Sequence, residues 1–359
     1  MDLIGRRLGQ YELREVIRRG GLSTLYKAYQ TPLDRWVAVR VLADPGDPGF
    51  AARFARDVGT VSRLQHPGIV PVLDHGRQDG LAWVVTQYVE AAGRLTDLLG
   101  RPMAPASACE LIGHVLGALA FAHDHGVVHR DLKPDNIFMS APTWPMLANF
   151  AVVTTLGGGE GQAPRLVVGT PAYMAPEQAF GMPAEPRTDL YSAGVILYEM
   201  VTGRVPFEAD TPTATLMRQA YQQCLPPRAA GAPDLPDAVQ DIVLRAMAKD
   251  PAKRYATATE MAGAVRGALG VIAPGSATAE AEALADTYAA GVRAFAAGRW
   301  DEAVELLGRV VADDPGYEDV EALLETARAF DPSADRPGAE PVAAAVPRGP
   351  APVMPGRAR

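Results

Sequence analysis

From residue 11 to 89 the pattern of apolar and polar positions is β-rich, with short strand-length runs bounded by turn residues. The pattern predicts strands over 11–16, 25–29 and 36–42, with Arg18-Arg19-Gly20-Gly21-Leu22-Ser23 turning the chain between the first two. A Pro, Gly and Asp stretch at 44–49 leads into a helical period, which predicts one amphipathic helix over about 50–64, stopped by His66-Pro67-Gly68. Runs at 69–74 and 81–89 predict two further strands. From 95 to 270 helical spacing dominates. The segment 108–125 carries Leu111, Ile112, Val115, Leu116 and Leu119 on one face and closes at Gly126. The segment 189–200 is apolar nearly all round, the mark of a central buried helix, while 239–247 and 258–269 are amphipathic and 225–236 is a Pro-rich connector.

After a break at Ala273-Pro274-Gly275 the helical period returns: Leu284, Tyr288, Val292 and Phe295 form one face, Val304, Leu307 and Val310 another, and 323–330 a third helix. The spacing of Gly291, Gly298, Ala303 and Pro315, with Trp300, resembles one tetratricopeptide motif. A single such repeat buries its face poorly, so packing on the preceding domain, a partner or another copy is expected. A plain helical hairpin fits the pattern almost as well. Beyond 331 the chain is Pro, Ala and Arg without periodicity, and disorder is expected there.

Composition narrows the function classes. A chain of 359 residues has room for two or three domains, and 48% hydrophobic with 21% charged residues is ordinary for a globular protein. A net charge of -8 argues against nucleic acid or an anionic membrane as the main partner. The two cysteines, Cys109 and Cys224, read as reduced thiols of a cytoplasmic protein. The segment Met1-Asp2-Leu3-Ile4-Gly5-Arg6-Arg7 has no apolar run behind it that would make a signal peptide, and no window approaches 18 uncharged apolar residues.

The chemistry sits in three motifs. His129-Arg130-Asp131-Leu132-Lys133-Pro134-Asp135-Asn136 joins the helix ending at 125 to a short apolar strand, Ile137-Phe138-Met139. Gly169-Thr170-Pro171-Ala172-Tyr173-Met174-Ala175-Pro176-Glu177 and Asp189-Leu190-Tyr191-Ser192-Ala193-Gly194 come after it in order. Together these resemble the bacterial eukaryotic-type (Hanks-type) Ser/Thr protein kinases over about residues 11–270. The resemblance implies an α+β, two-lobed fold: a kinase-like N-lobe at 11–90, a small antiparallel sheet plus one helix, then a mainly helical C-lobe at 91–270. A linker at 271–280, a tetratricopeptide-like all-α extension at 281–330 and a tail at 331–359 complete the division. It implies catalytic-loop roles for Asp131 (accepting the hydroxyl proton), Lys133 (meeting the transferring phosphate) and Asn136 (holding a metal). It also implies a Glu177–Arg254 pair, and an Asp189 that accepts backbone N–H groups of the catalytic loop. An adenine pocket would be lined by Leu25 and Ala38 above, Phe138 below, Thr86 behind and the backbone of Gln87 to Val89.

Departures from the family pattern carry the functional reading. Where a Gly-rich phosphate loop is expected, only Gly20 and Gly21 stand; the first glycine is Arg18 and the third Ser23. The strand lysine is Arg40, and its helix partner is Asp57, one methylene shorter than Glu, which suggests a structural Arg40–Asp57 ion pair. The metal-binding Asp-Phe-Gly reads Asn149-Phe150-Ala151. A neutral amide under-compensates a dication, so Asn136 and Asn149 make a degenerate metal pair. If each altered contact costs about 3 kcal/mol of transition-state stabilisation, two slow transfer about 10⁴-fold. The activation segment from 156 to 168 holds no hydroxyl side chain to phosphorylate; Glu160 is its one acidic stand-in. The expected function is a pseudokinase, a binding or allosteric module with ATP as the candidate ligand and magnesium in doubt. Its expected partner is a protein, an active kinase or a signalling protein, without membrane insertion. Two alternatives stay open: an active, weak ATP-dependent Ser/Thr kinase, and a nucleotide sensor that binds ATP without metal.

Overall fold

The computed structural model describes residues 3–20, 23–43, 49–89, 93–141, 144–150, 170–273, 277–296, 299–313 and 320–330. It divides into two units, Met1–Pro274 and Gly275–Arg359.

The first unit begins with a six-stranded antiparallel sheet: β1 (Arg7–Leu8), β2 (Tyr11–Arg19), β3 (Ser23–Gln30), β4 (Arg35–Ala43), β5 (Val72–Gln78) and β6 (Leu81–Gln87), in the order β1-β2-β3-β4-β6-β5. Alternation decides its two faces. One packs Leu13, Tyr26, Val39 and Val85 around Trp83, while the other, Leu42, Ala82 and Val84, takes Phe50, Phe54 and Val58 of helix α1 (Phe50–Val61). The strand expected at 69–74 forms instead at Val72–Gln78, because Pro71 supplies no N–H to a ladder. Ile69 bridges in parallel to Leu147, and Val70 N donates to Leu147 O at 2.8 Å, tying the sheet region to the helical half of the unit.

That half is organised around α2 (Pro105–Asp124) and, after the short α3 (Pro176–Ala179), α4 (Pro186–Thr202); α5 (Pro212–Tyr221), α6 (Asp237–Ala246) and α7 (Ala258–Ile272) complete it. Nearly every residue of α4 from Thr188 on is buried, as its all-round apolar sequence requires. Gly203, at φ 75°, ends it in the left-handed conformation that helix C-termini favour. By length and mean hydropathy α2 is apolar enough to cross a membrane, although Glu110 breaks its uncharged run, and its buried residues belong to the core of this unit. Leu111, Ile112, Val115, Leu116 and Leu119 of α2 lie in the same core cluster as Leu190, Val195 and Ile196 of α4. Between the halves lies a second sheet, β7 (Gly93–Arg94), β8 (Ile137–Ala141) and β9 (Trp144–Leu147). The loop joining α2 to β8 therefore opens toward the first sheet.

Among its described residues the second unit is three helices, α8 (Ala277–Ala296), α9 (Trp300–Asp313) and α10 (Val320–Phe330), around Ala294, Ala303, Leu307, Val310, Val320, Leu324 and Ala327. Gly291 is needed there: a Cβ on it would lie 2.8 Å from Leu307 Cδ2. Gly298, Pro315 and the tail from 331 fall outside the described residues.

Candidate active-site cleft

The loop from His129 to Asn136 is fixed from below by Asp189, 1% exposed, which accepts the backbone N–H groups of His129 (2.7 Å) and Arg130 (2.8 Å) and lies 2.8 Å from His123 Nε2. Burial holds the His129 ring below its usual pKa against the pull of Asp189 and Asp131. The ring is neutral at pH 7. It donates from Nε2 to Ala148 O (3.0 Å), leaving Nδ1 to face the N–H of Asp131 (3.4 Å). Farther out, Arg254 grips Glu177 through two bonds of 2.7 and 2.9 Å, with both side chains buried. Burial alone would raise the Glu177 carboxyl, but the bonds and charge of Arg254 outweigh it and hold the pKa below its ordinary value. These contacts match the expected scaffold.

On this frame the catalytic-loop side chains form a continuous chain of hydrogen bonds. Lys133 Nζ sits 3.1 Å from Asp131 Oδ1 and 2.9 Å from Oδ2. Asn136 Nδ2 donates to Asp131 O (2.7 Å) and Oδ2 (3.0 Å). Asn149 Nδ2 donates to Asn136 Oδ1 (2.7 Å), and Arg40 Nη2 donates to Asn149 Oδ1 (2.5 Å). The Asn149 amide has one sensible orientation, since turning it over would set an NH₂ against a guanidinium. Its backbone, at φ 72°, adopts the left-handed conformation that Asn tolerates well.

Arg40 does not form the ion pair with Asp57 expected from the sequence. Its guanidinium bonds Asn149 and, through Nη1, Ser23 Oγ (3.1 Å). Asp57 lies 3.4 Å from Arg56 Nε, and its Oδ2 is buried without a partner. The aspartate is one methylene shorter than the glutamate of the pattern, whereas the Asn149 amide oxygen lies within bonding distance of the Arg40 guanidinium. Burial, with the charges of Arg18 and Arg94 nearby, pulls the Arg40 pKa down to about 10, so the group stays charged at neutral pH.

Above the loop lies a cavity of about 510 Å³. The structure brings together in its wall Leu25, Ala38, Thr86, Gln87, Val89, Phe138 and Asn149 of the expected set; Gly20, Arg40 and Asp57 are not in its lining, Arg40 meeting it through its bond to Asn149, and Gly21 lies outside the described residues. Gly20 N donates to Ser23 O (2.9 Å), closing the β2–β3 turn. The segment 151–169, with Ala151 and Glu160, is also outside the described residues.

The sequence reading missed the rim of the cleft. Arg94 lines the cavity with its guanidinium 5.2 Å from the Phe138 ring centre, its backbone N–H held by Asp97 (2.7 Å). Arg18 and Arg94 share Asp135, at 3.4 and 3.8 Å. Arg18 was visible as a departure from glycine; nothing local in the sequence pointed to Arg94.

A protein kinase domain model matches residues 11–264. The chain belongs to the Hanks-type Ser/Thr protein kinase family. Among its relatives are the serine/threonine-protein kinase PknB of Mycolicibacterium smegmatis, 38% identical over 262 residues, covering 70% of this chain and 42% of that one. PrkC of Bacillus subtilis is 34% identical over 263 residues, covering 72% and 40%. The chain thus spans about two fifths of the length of these relatives. The crystal structure of the PknI kinase domain of Mycobacterium tuberculosis matches with a TM-score of 0.59 at 25% identity, covering 74% of this chain and 99% of that one. Kinases of this family in general bind ATP and magnesium.

Proposed function

We propose that this kinase-family chain is a pseudokinase, a cytoplasmic binding or allosteric module whose partner is a protein, an active kinase or a signalling protein. The observation that carries the reading is the Arg40–Asn149–Asn136 chain. A magnesium ion at this place needs anionic oxygen, and the two amide oxygens that would face it already accept N–H groups at 2.5 and 2.7 Å. Asn149 brings no charge, and the guanidinium of Arg40 repels a dication. The Asp131 carboxylate is engaged by Lys133 and Asn136. The residues present do not fit the metal.

A second reading, a slow Ser/Thr kinase, has its own observation: Asp131, Lys133 and Asn136 keep the spacing and mutual bonds of a working loop. A radiolabel assay with γ-labelled ATP and magnesium or manganese separates the two. The pseudokinase reading expects labelling of the chain and of a generic protein substrate no higher than that of Asp131→Asn; label that disappears in that variant establishes the slow kinase instead.

A further inference from the structure

We infer that the cleft binds a nucleoside polyphosphate without a divalent cation, its phosphates neutralised by guanidinium groups of the protein itself. This rests on the proposed function but can fail separately from it. Directly behind Asn149 of the cavity wall, Arg40 stands half-buried and bonds the neutral Ser23 and Asn149; among the described residues no carboxylate lies within ion-pair distance of it. A cation in such surroundings has lost part of its water and has only Asp131, beyond bonding distance, as a counter-charge. At the rim, one carboxylate, Asp135, is divided between Arg18 and Arg94 at 3.4 and 3.8 Å, longer than a charge-assisted bond of about 2.8 Å. Lys133 is paired with Asp131, and Arg18 and Arg94 share Asp135, so with Arg40 and Asp97 the charged side chains named here sum to +1 in a chain whose overall charge is -8. An anion here relieves the repulsion between guanidiniums that the Arg40 environment already registers. Guanidinium forks match phosphate oxygens in pairs, a geometry that a metal would otherwise impose. The other half of the ligand is read from the wall: Leu25, Ala38 and Phe138 make an apolar slot for a planar base, beside the strand end at Gln87.

The test is calorimetric titration of the full chain with ADP, ATP, adenosine and inorganic tripolyphosphate, in EDTA and again with excess magnesium. ADP and ATP are expected to bind in EDTA at least tenfold more tightly than adenosine or tripolyphosphate alone, with no gain from magnesium. Arg40→Met should weaken ADP at least about tenfold, the loss of one charge-assisted contact, and leave adenosine unchanged. Arg18→Ala, on an exposed side chain that folding does not need, should weaken ADP severalfold. Binding that requires magnesium, tripolyphosphate binding as tight as ATP, ADP binding unaffected by both variants, or no binding at millimolar nucleotide would each overturn the inference. None of these last results restores phosphoryl transfer, so the pseudokinase reading is judged by the labelling assay alone.

Discussion

The contact between Arg40 and Asn149 makes a quantitative demand on any attempt to rebuild a metal site. Consider Asn149→Asp, Arg40→Lys and the double variant, each titrated with Mn²⁺ in the presence of ADP and followed by the resonance signal of free manganese. With Arg40 left in place, a carboxylate at position 149 meets a guanidinium within bonding distance, 2.5 Å in the parent, and becomes an ion pair instead of a ligand. With Asn149 left in place, Arg40→Lys frees the amide oxygen but supplies no charge. Only the double variant both releases residue 149 and makes it anionic. Directly contacting residues couple by about 0.5–3 kcal/mol, and a value near 1.4 kcal/mol corresponds to a tenfold factor. The manganese affinity of the double variant should therefore exceed the product of the two single gains about tenfold. Single gains that multiply to the double's value, or a parent that already binds manganese as tightly, would refute the reasoning.

Three further variants test the packing and ion pairs of the two units. Glu177→Gln breaks a buried two-bond pair with Arg254 and should cost about 3–5 kcal/mol in urea unfolding. Because the folded pKa of Glu177 lies below its usual 4.5, the parent's stability from this pair is full above pH 4.5 and should fall as pH drops below it, a slope that Glu177→Gln lacks. Asp189→Asn offers one acceptor where two backbone N–H groups point, so it should cost about 3 kcal/mol and lower the main melting transition by about 6–10 °C; a fall under 2 °C contradicts the anchoring role. Gly291→Ala gains helix propensity of about 1 kcal/mol but forces a methyl to 2.8 Å from Leu307, so overpacking of about 1–3 kcal/mol should win. Faster amide exchange over Trp300–Asp313 is the expected sign, and unchanged or slower exchange counts against it.

Much of this was legible in the chain because it depends on local pattern. The strands of the first sheet, the buried α4 and the catalytic loop appear in the structure within a few residues of their expected places, and Gly126 and Gly203, both at positive φ, lie just beyond the ends of α2 and α4. The partner of Arg40 was not legible. A sequence motif names two residues that meet in the family, but whether a shortened side chain still reaches depends on where α1 lies against β4, a tertiary quantity. The departure at Asn149, read only as a lost ligand, is also a gained acceptor, and the two changes explain each other once their atoms are 2.5 Å apart. Arg94 and Asp135 meet through folding of segments some forty residues apart, which no local period records.

The most direct measurement is anomalous diffraction from crystals of the chain grown with ADP and manganese. The account predicts no manganese peak between residues 136 and 149, with the Arg40 guanidinium still within hydrogen-bond distance of the Asn149 amide oxygen. A strong peak ligated by both Asn136 and Asn149, with Arg40 swung away, would contradict it.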